Sequence, residues 1–283
     1  MTFFIDDPRL PDDVTIAALR ALAESMAREA GALVREGRPE HVEVAATKSS
    51  AVDVVTAMDA ESEALLRRII ARERPDDAVL GEEEGASEGT SGLTWVIDPI
   101  DGTVNYLYSV ASYAISVAVV VGPPDPAQWT VLAGAVHSIV DGRTWTAGLG
   151  AGATLDGEPV RVNPAGPLAT SLVGTGFAYD AERRRHQAEV LTTVLPQVRD
   201  IRRLGSAAID LCLVATGSLD LYYERGLNPW DLAAGALVAQ EAGALVTGLR
   251  GRPAGADMTV AGPPAAVDAL VAILESAGAD SGV

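Results

Sequence analysis

The sequence predicts an α/β protein in which an α+β N-terminal half precedes an α/β C-terminal half. Apolar residues recur at helical spacing near both ends of the chain, whereas residues 93–148 hold short apolar runs separated by glycine-rich turns. From about residue 165, strand and helix patterns alternate, which is typical of α/β folds. A chain of 283 residues is long enough for one large domain or two closely packed ones. We therefore expect two closely packed halves, 1–164 and 165–283.

The N-terminal half is predicted to begin with two helices and to continue as a largely antiparallel meander. The first helix covers residues 13–36, with Asp12 or Asp13 as its cap and Gly37 at its end. The second covers residues 59–74, where apolar residues share one face. The segment GTVNYLY reads as a further helix start. Strand patterns occur in AVL, TWVI, YAISVAVVV, WTVLAGAVHSIV and RTWTAGL.

The C-terminal half is predicted to alternate strands with helices. Strand patterns occur in TSLVGTG, DIRRLG, SLDLYYE, ALVTG and MTVAG. Helical patterns occur at residues 181–195 and in SAAIDLCLVAT, WDLAAGALVAQEAG and PPAAVDALVAILESAG. Cys212 lies in the second of these helices, at a position typical of a core residue.

The chain is strongly acidic, with 39 Asp and Glu against 21 Lys and Arg and a formal net charge of −18. This balance argues against general binding to nucleic acid or to an anionic membrane, because both need a basic surface. A single cysteine excludes an internal disulfide and favours a reducing compartment. The N-terminus lacks a secretory-signal pattern, and the most apolar run is too short to cross a bilayer. We expect a cytoplasmic location.

Four acidic residues lie where predicted elements begin or end: Glu82, Asp98, Asp101 and Asp231. Each has an ordinary structural explanation, as a turn former, a helix cap or part of a solvated charge run. Together they form an all-oxygen set of the kind that Mg²⁺ prefers, whereas the three histidines lie far apart and outside these motifs. In WVIDPIDGTVNY, Pro99 bends the chain so that a backbone carbonyl can turn towards the two aspartates. The pattern predicts a site for a hard cation.

A phosphate ester needs local positive charge to approach so acidic a protein. Bound divalent cations would supply that charge. Gly102 and Thr103, at a predicted helix start, offer backbone N–H groups to a phosphate, with the helix dipole in support. The acids and the helix start therefore favour a phosphate-handling site.

Three segments resemble the signature motifs of the inositol monophosphatase family of Mg²⁺-dependent phosphatases: GEE, DPIDGTVNY and WDLAAGALVAQEAG. The similarity extends from about residue 47 to residue 262, in the order of the family. It implies a layered αβαβα sandwich, commonly a homodimer, and inhibition by Li⁺. It also implies hydrolysis of a small polyol phosphate, first inositol 1-phosphate, by direct attack of a metal-activated water.

Carried over position by position, the resemblance implies a role for each matching residue. Thr103, hydrogen-bonded to Asp59, would position and deprotonate the attacking water together with Glu82, and Lys48 would lie on a loop over the site. Two or three Mg²⁺ ions would be held by Glu82, Asp98, Asp101, Asp231 and the carbonyl of Ile100. Substrate contacts would come from Asp101, Gly102, Thr103, Gly205, Ser206, Ala207, Glu224 and Asp231.

The sequence departs from the family pattern at a few positions. Members usually carry a small or hydroxyl residue where Glu84 stands, and a second glycine where Ala244 stands. Asn228 and Pro229 occupy positions that vary among members. None of these changes removes a ligand, so they bear on loop behaviour and substrate choice. The segment 82–92 is expected to be a mobile loop beside the site.

The choice of substrate stays open among relatives with nearly the same metal core. Histidinol phosphate is the next candidate, followed by fructose 1,6-bisphosphate and 3′-phosphoadenosine nucleotides. Glu224 and the GSAA segment fit a polyol such as inositol. Arg202, Arg203 and Arg225 could read a second charged group on the substrate.

Three other classes of function remain as alternatives. A haloacid-dehalogenase-type phosphatase would use Asp98 as a nucleophile, but the spacing between the two aspartates is one residue longer here and contains proline. A dinucleotide-binding role would need the full Gly-x-Gly-x-x-Gly fingerprint, which LVGTGFAYD lacks. The third alternative is a mainly regulatory binding protein with a vestigial phosphatase site.

Overall fold

Residues 15–48 and 54–281, the part of the chain that the computed structural model describes, form seven α-helices and fifteen β-strands. The helices are α1 Ile16–Glu36, α2 Ala57–Glu73, α3 Thr103–Tyr108, α4 Ala181–Val194, α5 Ala207–Ala215, α6 Pro229–Glu241 and α7 Pro264–Ser276. The strands of the first half are β1 Ala46–Thr47, β2 Val54–Val55, β3 Ala78–Gly81, β4 Gly85–Ser87, β5 Leu93–Asp101, β6 Ala114–Val121, β7 Thr130–Ser138, β8 Thr144–Gly148, β9 Gly152–Leu155 and β10 Glu158–Pro159. Those of the second half are β11 Leu172–Thr175, β12 Asp200–Arg202, β13 Leu221–Glu224, β14 Leu245–Thr247 and β15 Thr259–Gly262.

The larger sheet has eight strands in the order β10-β9-β8-β7-β6-β5-β3-β4. Its neighbours are antiparallel except for β3 and β5, which run parallel. Along β5, Asp98 lies opposite Ser116 and Asp101 opposite Ala114, so three steps on β5 match two on β6. This irregularity is a β-bulge, and it bends the strand where its two aspartates stand.

The smaller sheet has five strands in the order β12-β11-β13-β15-β14, with β11 parallel to both of its neighbours and the other pairs antiparallel. Helices α1 and α2 cover one face of the larger sheet. Helices α5 and α6 lie between the two sheets, and α4 and α7 cover the outer face of the smaller one. This arrangement confirms the predicted αβαβα sandwich. The boundary at 164/165 stays a prediction.

The middle layer joins the two halves of the chain. Helix α6 is buried along most of its length, and it packs on strands of the larger sheet although it belongs to the second half of the sequence. A Cβ atom on Gly134 of β7 would come within 3.0 Å of the Ala234 Cα atom of α6. Small residues at this contact let the helix backbone approach the sheet closely.

Most predicted elements agree with the structure; the differences are at the start of α1, at β4, and at the short strands β1, β2, β9 and β10, which the sequence pattern does not predict. Helix α1 begins at Ile16 and is capped by Thr15, whose hydroxyl accepts the N–H of Ala18 at 3.1 Å. The expected caps, Asp12 and Asp13, lie outside the described residues. The segment 82–92, expected to be a loop, contains β4, which pairs antiparallel with β3. Two further short strands, β9 and β10, extend the meander beyond the predicted one.

The contact between α1 and β7 predicts a pH dependence of stability. His137 is buried on β7, its Nδ1 lies 2.8 Å from the Thr144 hydroxyl, and its ring occupies the place that a Cβ atom on Gly31 would need. Burial, with Arg28 and Arg35 nearby, lowers the pKa of His137 to about 4. The unfolded chain therefore binds a proton between pH 6.5 and 4 that the folded chain does not. The stability that the neutral His137 ring gives the folded protein is therefore complete above pH 6.5 and is lost as the pH falls from 6.5 towards 4.

We expect the stability advantage of the wild type over a His137→Leu variant to shrink by about 2–3 kcal/mol between pH 7 and pH 4. Urea unfolding of both proteins across this range measures the difference, and the comparison cancels the contributions of other titrating groups. A pH-independent difference would contradict the assignment of a buried neutral imidazole.

Candidate metal centre

The end of β5 places two of the predicted ligands. Asp98 and Asp101 are both buried, and the Oδ1 atom of Asp98 accepts the N–H of Ile100 at 3.0 Å across the bulge. The carbonyl of Pro99 accepts a hydrogen bond from the Ser62 hydroxyl at 3.0 Å, on the side of α2. The bulge therefore fixes the two carboxylates in place, as the proline between them suggested.

Asp231 comes to the same place from the start of α6. It is the third helical residue of a capping box in which the N–H of Asn228 donates to its Oδ2 atom at 2.7 Å. Oxygen atoms of Asp98, Asp101 and Asp231 lie within 4.8 Å of one another. Asp231 therefore belongs to a helix capping box and also to an acidic cluster. The sequence offered these as separate interpretations, and the structure shows both.

Asp101 is held by the start of α5. Its Oδ2 atom accepts the Ser206 hydroxyl at 2.6 Å and the N–H of Ala208 at 2.7 Å. Ser206 is itself buried. The Ser206 hydroxyl is thus bonded to Asp101, and the substrate contact expected of Ser206 stays a prediction. Its neighbours Gly205 and Ala207 do line the cavity.

Burial of like charges dominates the electrostatics of this cluster. Burial raises the pKa of Asp98 well above its ordinary value, and the charges of Glu82, Asp101 and Asp231 raise it further. Burial, with Asp101 and Glu82, raises the pKa of Asp231 in the same way. The Oδ2 atom of Asp98 is buried without a hydrogen-bond partner in the described ranges. A converging set of carboxylate oxygens, one with no donor, fits a hard divalent cation such as Mg²⁺.

Glu82 follows β3 and lines the same cavity as the three aspartates, but its side chain is paired with a lysine. Lys48 Nζ lies 2.8 Å from Glu82 Oε1 and 2.6 Å from Glu83 Oε1. Burial alone would lower the pKa of Lys48, but the two carboxylates outweigh it and raise that pKa. Lys48, expected on a loop over the site, thus contacts an expected ligand directly.

Thr103 and Asp59 form the hydrogen bond that the resemblance implied. The Thr103 hydroxyl lies 3.0 Å from Asp59 Oδ1 and 3.1 Å from the carbonyl oxygen of Ile100. Asp59 is fully buried on α2, and its Oδ2 atom accepts the N–H of Thr56 at 2.8 Å. Burial raises the pKa of Asp59, while the donors Thr56 and Thr103 oppose that shift. The pair lies beside the acidic cluster.

A cavity of about 590 Å³ opens from the cluster, and Glu224 lies in its wall. The Tyr222 hydroxyl donates to Glu224 Oε2 at 2.6 Å. Burial raises the pKa of Glu224 to about 7, against the opposing effects of Tyr222 and Arg203. The Glu224 carboxylate occupies the space that a Cβ atom on Gly176 would fill, so glycine is needed there.

The wall contains residues that the sequence alone did not assign to the site. These are Arg183 and Tyr179, which line the cavity from the segment at the start of α4. Arg203, which the sequence offered for a second charged group on the substrate, lines the cavity from just after β12. Arg183 follows Asp180, the N-cap of α4. A cluster of basic residues at 183–185 in so acidic a chain was a visible signal, but no pattern connected it to the metal ligands.

The fold and the site together define a layered αβαβα protein with a cluster of carboxylates lining a cavity. A model of the inositol monophosphatase family matches residues 16–278, nearly the whole chain. The chain belongs to the inositol monophosphatase family, a family of metal-dependent phosphoric monoester hydrolases. This confirms the resemblance that the three sequence motifs carried.

Individual relatives agree with the family assignment. The chain is 45% identical over 277 residues to the inositol-1-monophosphatase of Mycobacterium leprae (strain TN), covering 91% of this chain and 93% of the relative. It resembles the solved structure of Mycobacterium tuberculosis SuhB with a TM-score of 0.78 and 42% identity, covering 94% of this chain and 98% of that one. A Nus factor SuhB of Pasteurella multocida (strain Pm70) is 35% identical over 232 residues, covering 81% of this chain and 85% of the relative.

Within residues 15–48 and 54–281, no helix combines the length and the apolar character needed to span a membrane.

The electrostatics of the cluster predict that removing one carboxylate stabilises the metal-free protein. Asp98→Asn keeps the acceptor for the Ile100 N–H and removes a buried charge. In EDTA, we expect it to raise the free energy of unfolding by about 1–2 kcal/mol, while abolishing most of the thermal stabilisation that millimolar Mg²⁺ gives the wild type. Calorimetric scans with EDTA and with Mg²⁺ measure both effects.

Asp268→Asn is the matched control, because Asp268 is exposed on α7. This variant is expected to behave like the wild type under both conditions. A loss of stability of Asp98→Asn in EDTA would contradict the interpretation that the cluster is electrostatically strained.

Proposed function

We propose that this chain is a Mg²⁺-dependent phosphatase that hydrolyses a small polyol phosphate monoester, with inositol 1-phosphate as the first candidate. One observation carries the proposal: three carboxylates, two of them buried and one partly buried, converge within 4.8 Å at a cavity also lined by Thr103, which is hydrogen-bonded to Asp59. The family membership and the names of the relatives support the reaction class.

The proposed ligands of two or three Mg²⁺ ions are Glu82, Asp98, Asp101, Asp231 and the carbonyl oxygen of Ile100. When bound, such ions lower the pKa of water and neutralise charge on a phosphate. Lys48 Nζ lies 2.8 Å from Glu82 Oε1, so the lysine competes with a cation for that oxygen. We therefore propose that Lys48 is a loop cation that exchanges its contact with Glu82 for one with the substrate phosphate.

Thr103 and Asp59 are proposed to position and deprotonate the attacking water together with Glu82. The Thr103 hydroxyl has one proton, and its donation to Asp59 leaves the oxygen lone pairs free to accept from water. The buried helix α2 holds Asp59 rigidly, so the hydroxyl keeps its direction. The N–H groups of Gly102 and Thr103, which line the cavity, are proposed to contact the phosphate.

Glu224 supports a polyol as the part of the substrate beyond the phosphate. Its carboxylate can accept hydrogen bonds from neighbouring hydroxyl groups, as can the backbone at Gly205 and Ala207. Histidinol phosphate instead carries an ammonium group, which would lie close to the guanidinium groups of Arg183 and Arg203. Like charges in a partly buried cavity repel, so we rank inositol 1-phosphate above histidinol phosphate.

The substrate proposal is tested by phosphate release from inositol 1-phosphate, histidinol phosphate, fructose 1,6-bisphosphate and 3′-phosphoadenosine 5′-phosphate. With Mg²⁺, we expect the highest kcat/KM for inositol 1-phosphate and inhibition by millimolar Li⁺. A higher value for histidinol phosphate would reverse the ranking and would leave the phosphatase class intact.

The role of the cluster is tested by Asp98→Asn and Asp231→Asn, each expected to lower kcat by on the order of 10³-fold, because each removes a charged ligand. Asp268→Asn is again the control. Near-normal turnover of a folded Asp98→Asn protein would defeat the proposal. Trapping a phosphate covalently on Asp98 would point instead to a haloacid-dehalogenase-type mechanism.

A homodimer in the cytoplasm is proposed as the working form. The exposed apolar side chains of Tyr108, 74% accessible, and Val110, 49% accessible, lie together after α3 and support a protein contact there. Light scattering on the purified protein measures the mass.

A second candidate function is a regulatory binding role, because a relative at 35% identity is named a Nus factor. Pull-down from an extract of the source cells, compared with turnover of the pure protein, separates the two functions. Complete lack of turnover on every phosphate ester tested with Mg²⁺ would favour the binding role.

A further inference from the structure

Helix α2 presents three polar side chains on the same buried face that its apolar residues occupy. Asp59, Ser62 and Glu63 follow one another at helical spacing, and each is fully buried. Each holds a different segment of the site: Asp59 contacts Thr103, and Ser62 donates to the carbonyl of Pro99. Glu63 reaches the third segment, the turn after β3, and nothing in the proposed chemistry uses it.

The carboxylate of Glu63 binds the backbone of that turn. Its Oε2 atom accepts the N–H of Glu83 at 2.8 Å, and its Oε1 atom accepts the N–H of Glu84 at 3.0 Å. Both oxygens are thus directed at the two residues that follow Glu82. The carboxylate occupies the place that a Cβ atom on Gly81 would fill. This contact explains why glycine precedes the glutamates of the GEE motif.

Arg67 completes the arrangement one helical turn further along α2. Its Nε atom donates to Glu63 Oε1 at 2.8 Å, and its Nη2 atom donates to the carbonyl of Gly85 at 2.6 Å. The same guanidinium lies 3.4 Å from Glu84 Oε2. The turn from Gly81 to Gly85 is therefore bound near its middle by a carboxylate and at its end by a guanidinium. Glu63 and Arg67 form an ion pair whose other hydrogen bonds go to the backbone of this one short turn. These bonds hold the turn in a single geometry.

We propose that Glu63 and Arg67 are positioning residues that hold the turn carrying Glu82 against the acidic cluster. The proposal rests on the metal-dependent phosphatase function proposed above. Glu82 must stand close to Asp98, whose charge repels it, so an unrestrained turn would move outwards. The Glu63 carboxylate and the Arg67 guanidinium prevent this movement from the opposite side of the turn. The expected consequence of their loss is weaker cation binding at a site whose ligands are all still present.

The test is Glu63→Gln, which keeps the size of the side chain but replaces an acceptor with an amide donor facing two backbone donors. We expect the dissociation constant for Mn²⁺, measured by calorimetry well below the unfolding temperature, to rise by about 10-fold or more. We expect the Mg²⁺ concentration for half-maximal activity to rise in parallel, with kcat partly recovered at saturating Mg²⁺. Arg67→Gln removes the guanidinium that binds the carbonyl of Gly85 at the end of the turn. We expect it to raise the Mn²⁺ dissociation constant and the Mg²⁺ concentration for half-maximal activity, each by less than Glu63→Gln does.

Glu61→Gln is the matched control, because Glu61 is exposed on the same helix. It should bind Mn²⁺ as the wild type does. A Glu63→Gln protein that is less stable yet binds Mn²⁺ with the wild-type constant would overturn the proposal and leave Glu63 a purely structural residue. If that variant does not fold, an unchanged Mn²⁺ constant in Arg67→Gln overturns it instead. A wild-type protein that binds no Mn²⁺ would contradict the proposed function itself.

Discussion

The burial of like charges at the end of β5 is the constraint on which the rest of the site depends. Burial raises the pKa of each aspartate in the cluster, and neighbouring carboxylates raise those of Asp98 and Asp231 further, so the metal-free fold must supply hydrogen-bond donors to hold the cluster together. Each carboxylate has a backbone N–H donor, from Ile100, Ala208 and Asn228 for Asp98, Asp101 and Asp231 respectively. These donors fix the orientation of the three carboxylates without a bound cation. The repulsion that remains favours the binding of a divalent ion.

The burial of like charges at the end of β5 also explains where the few basic residues of this protein lie. The chain has a net charge of −18, yet Lys48, Arg183 and Arg203 all line the cavity beside the cluster. Arg203 opposes the raised pKa of both Asp101 and Glu224, so its charge is felt across the substrate side of the cavity. The lining still holds more carboxylates than cationic side chains, so these bases weaken the negative field at the cavity and bound divalent cations would be needed to reverse its sign. Acidic overall charge and an anionic substrate are compatible once such cations are bound.

Local pattern was enough to predict most elements and to single out the four acids that line one cavity, because strand ends and helix starts are visible in the sequence. It failed where long-range contacts decide the outcome. Strand β4 consists of the small residues at 85–87, which show no alternation, and Arg67 on α2 holds its first carbonyl. The hydrogen bond from the Ser206 hydroxyl to Asp101 joins residues 105 positions apart, so no local pattern shows it. Glu63 did leave a signal: an acid at an apolar-face position, four residues after Asp59.

The position of Asp231 shows why the two halves of the sequence act as one structural unit. Asp98 and Asp101 belong to the larger sheet, whereas Asp231 opens a helix of the second half that packs on that sheet's other face. The Ser116 hydroxyl of β6 donates to the carbonyl of Trp230 at 3.1 Å, which ties the start of α6 directly to the strand beside β5. Any change that shifts α6 on the sheet by an ångström changes the distances between carboxylates. The close contact of Ala234 with Gly134 therefore contributes to the geometry of the site as well as to the core.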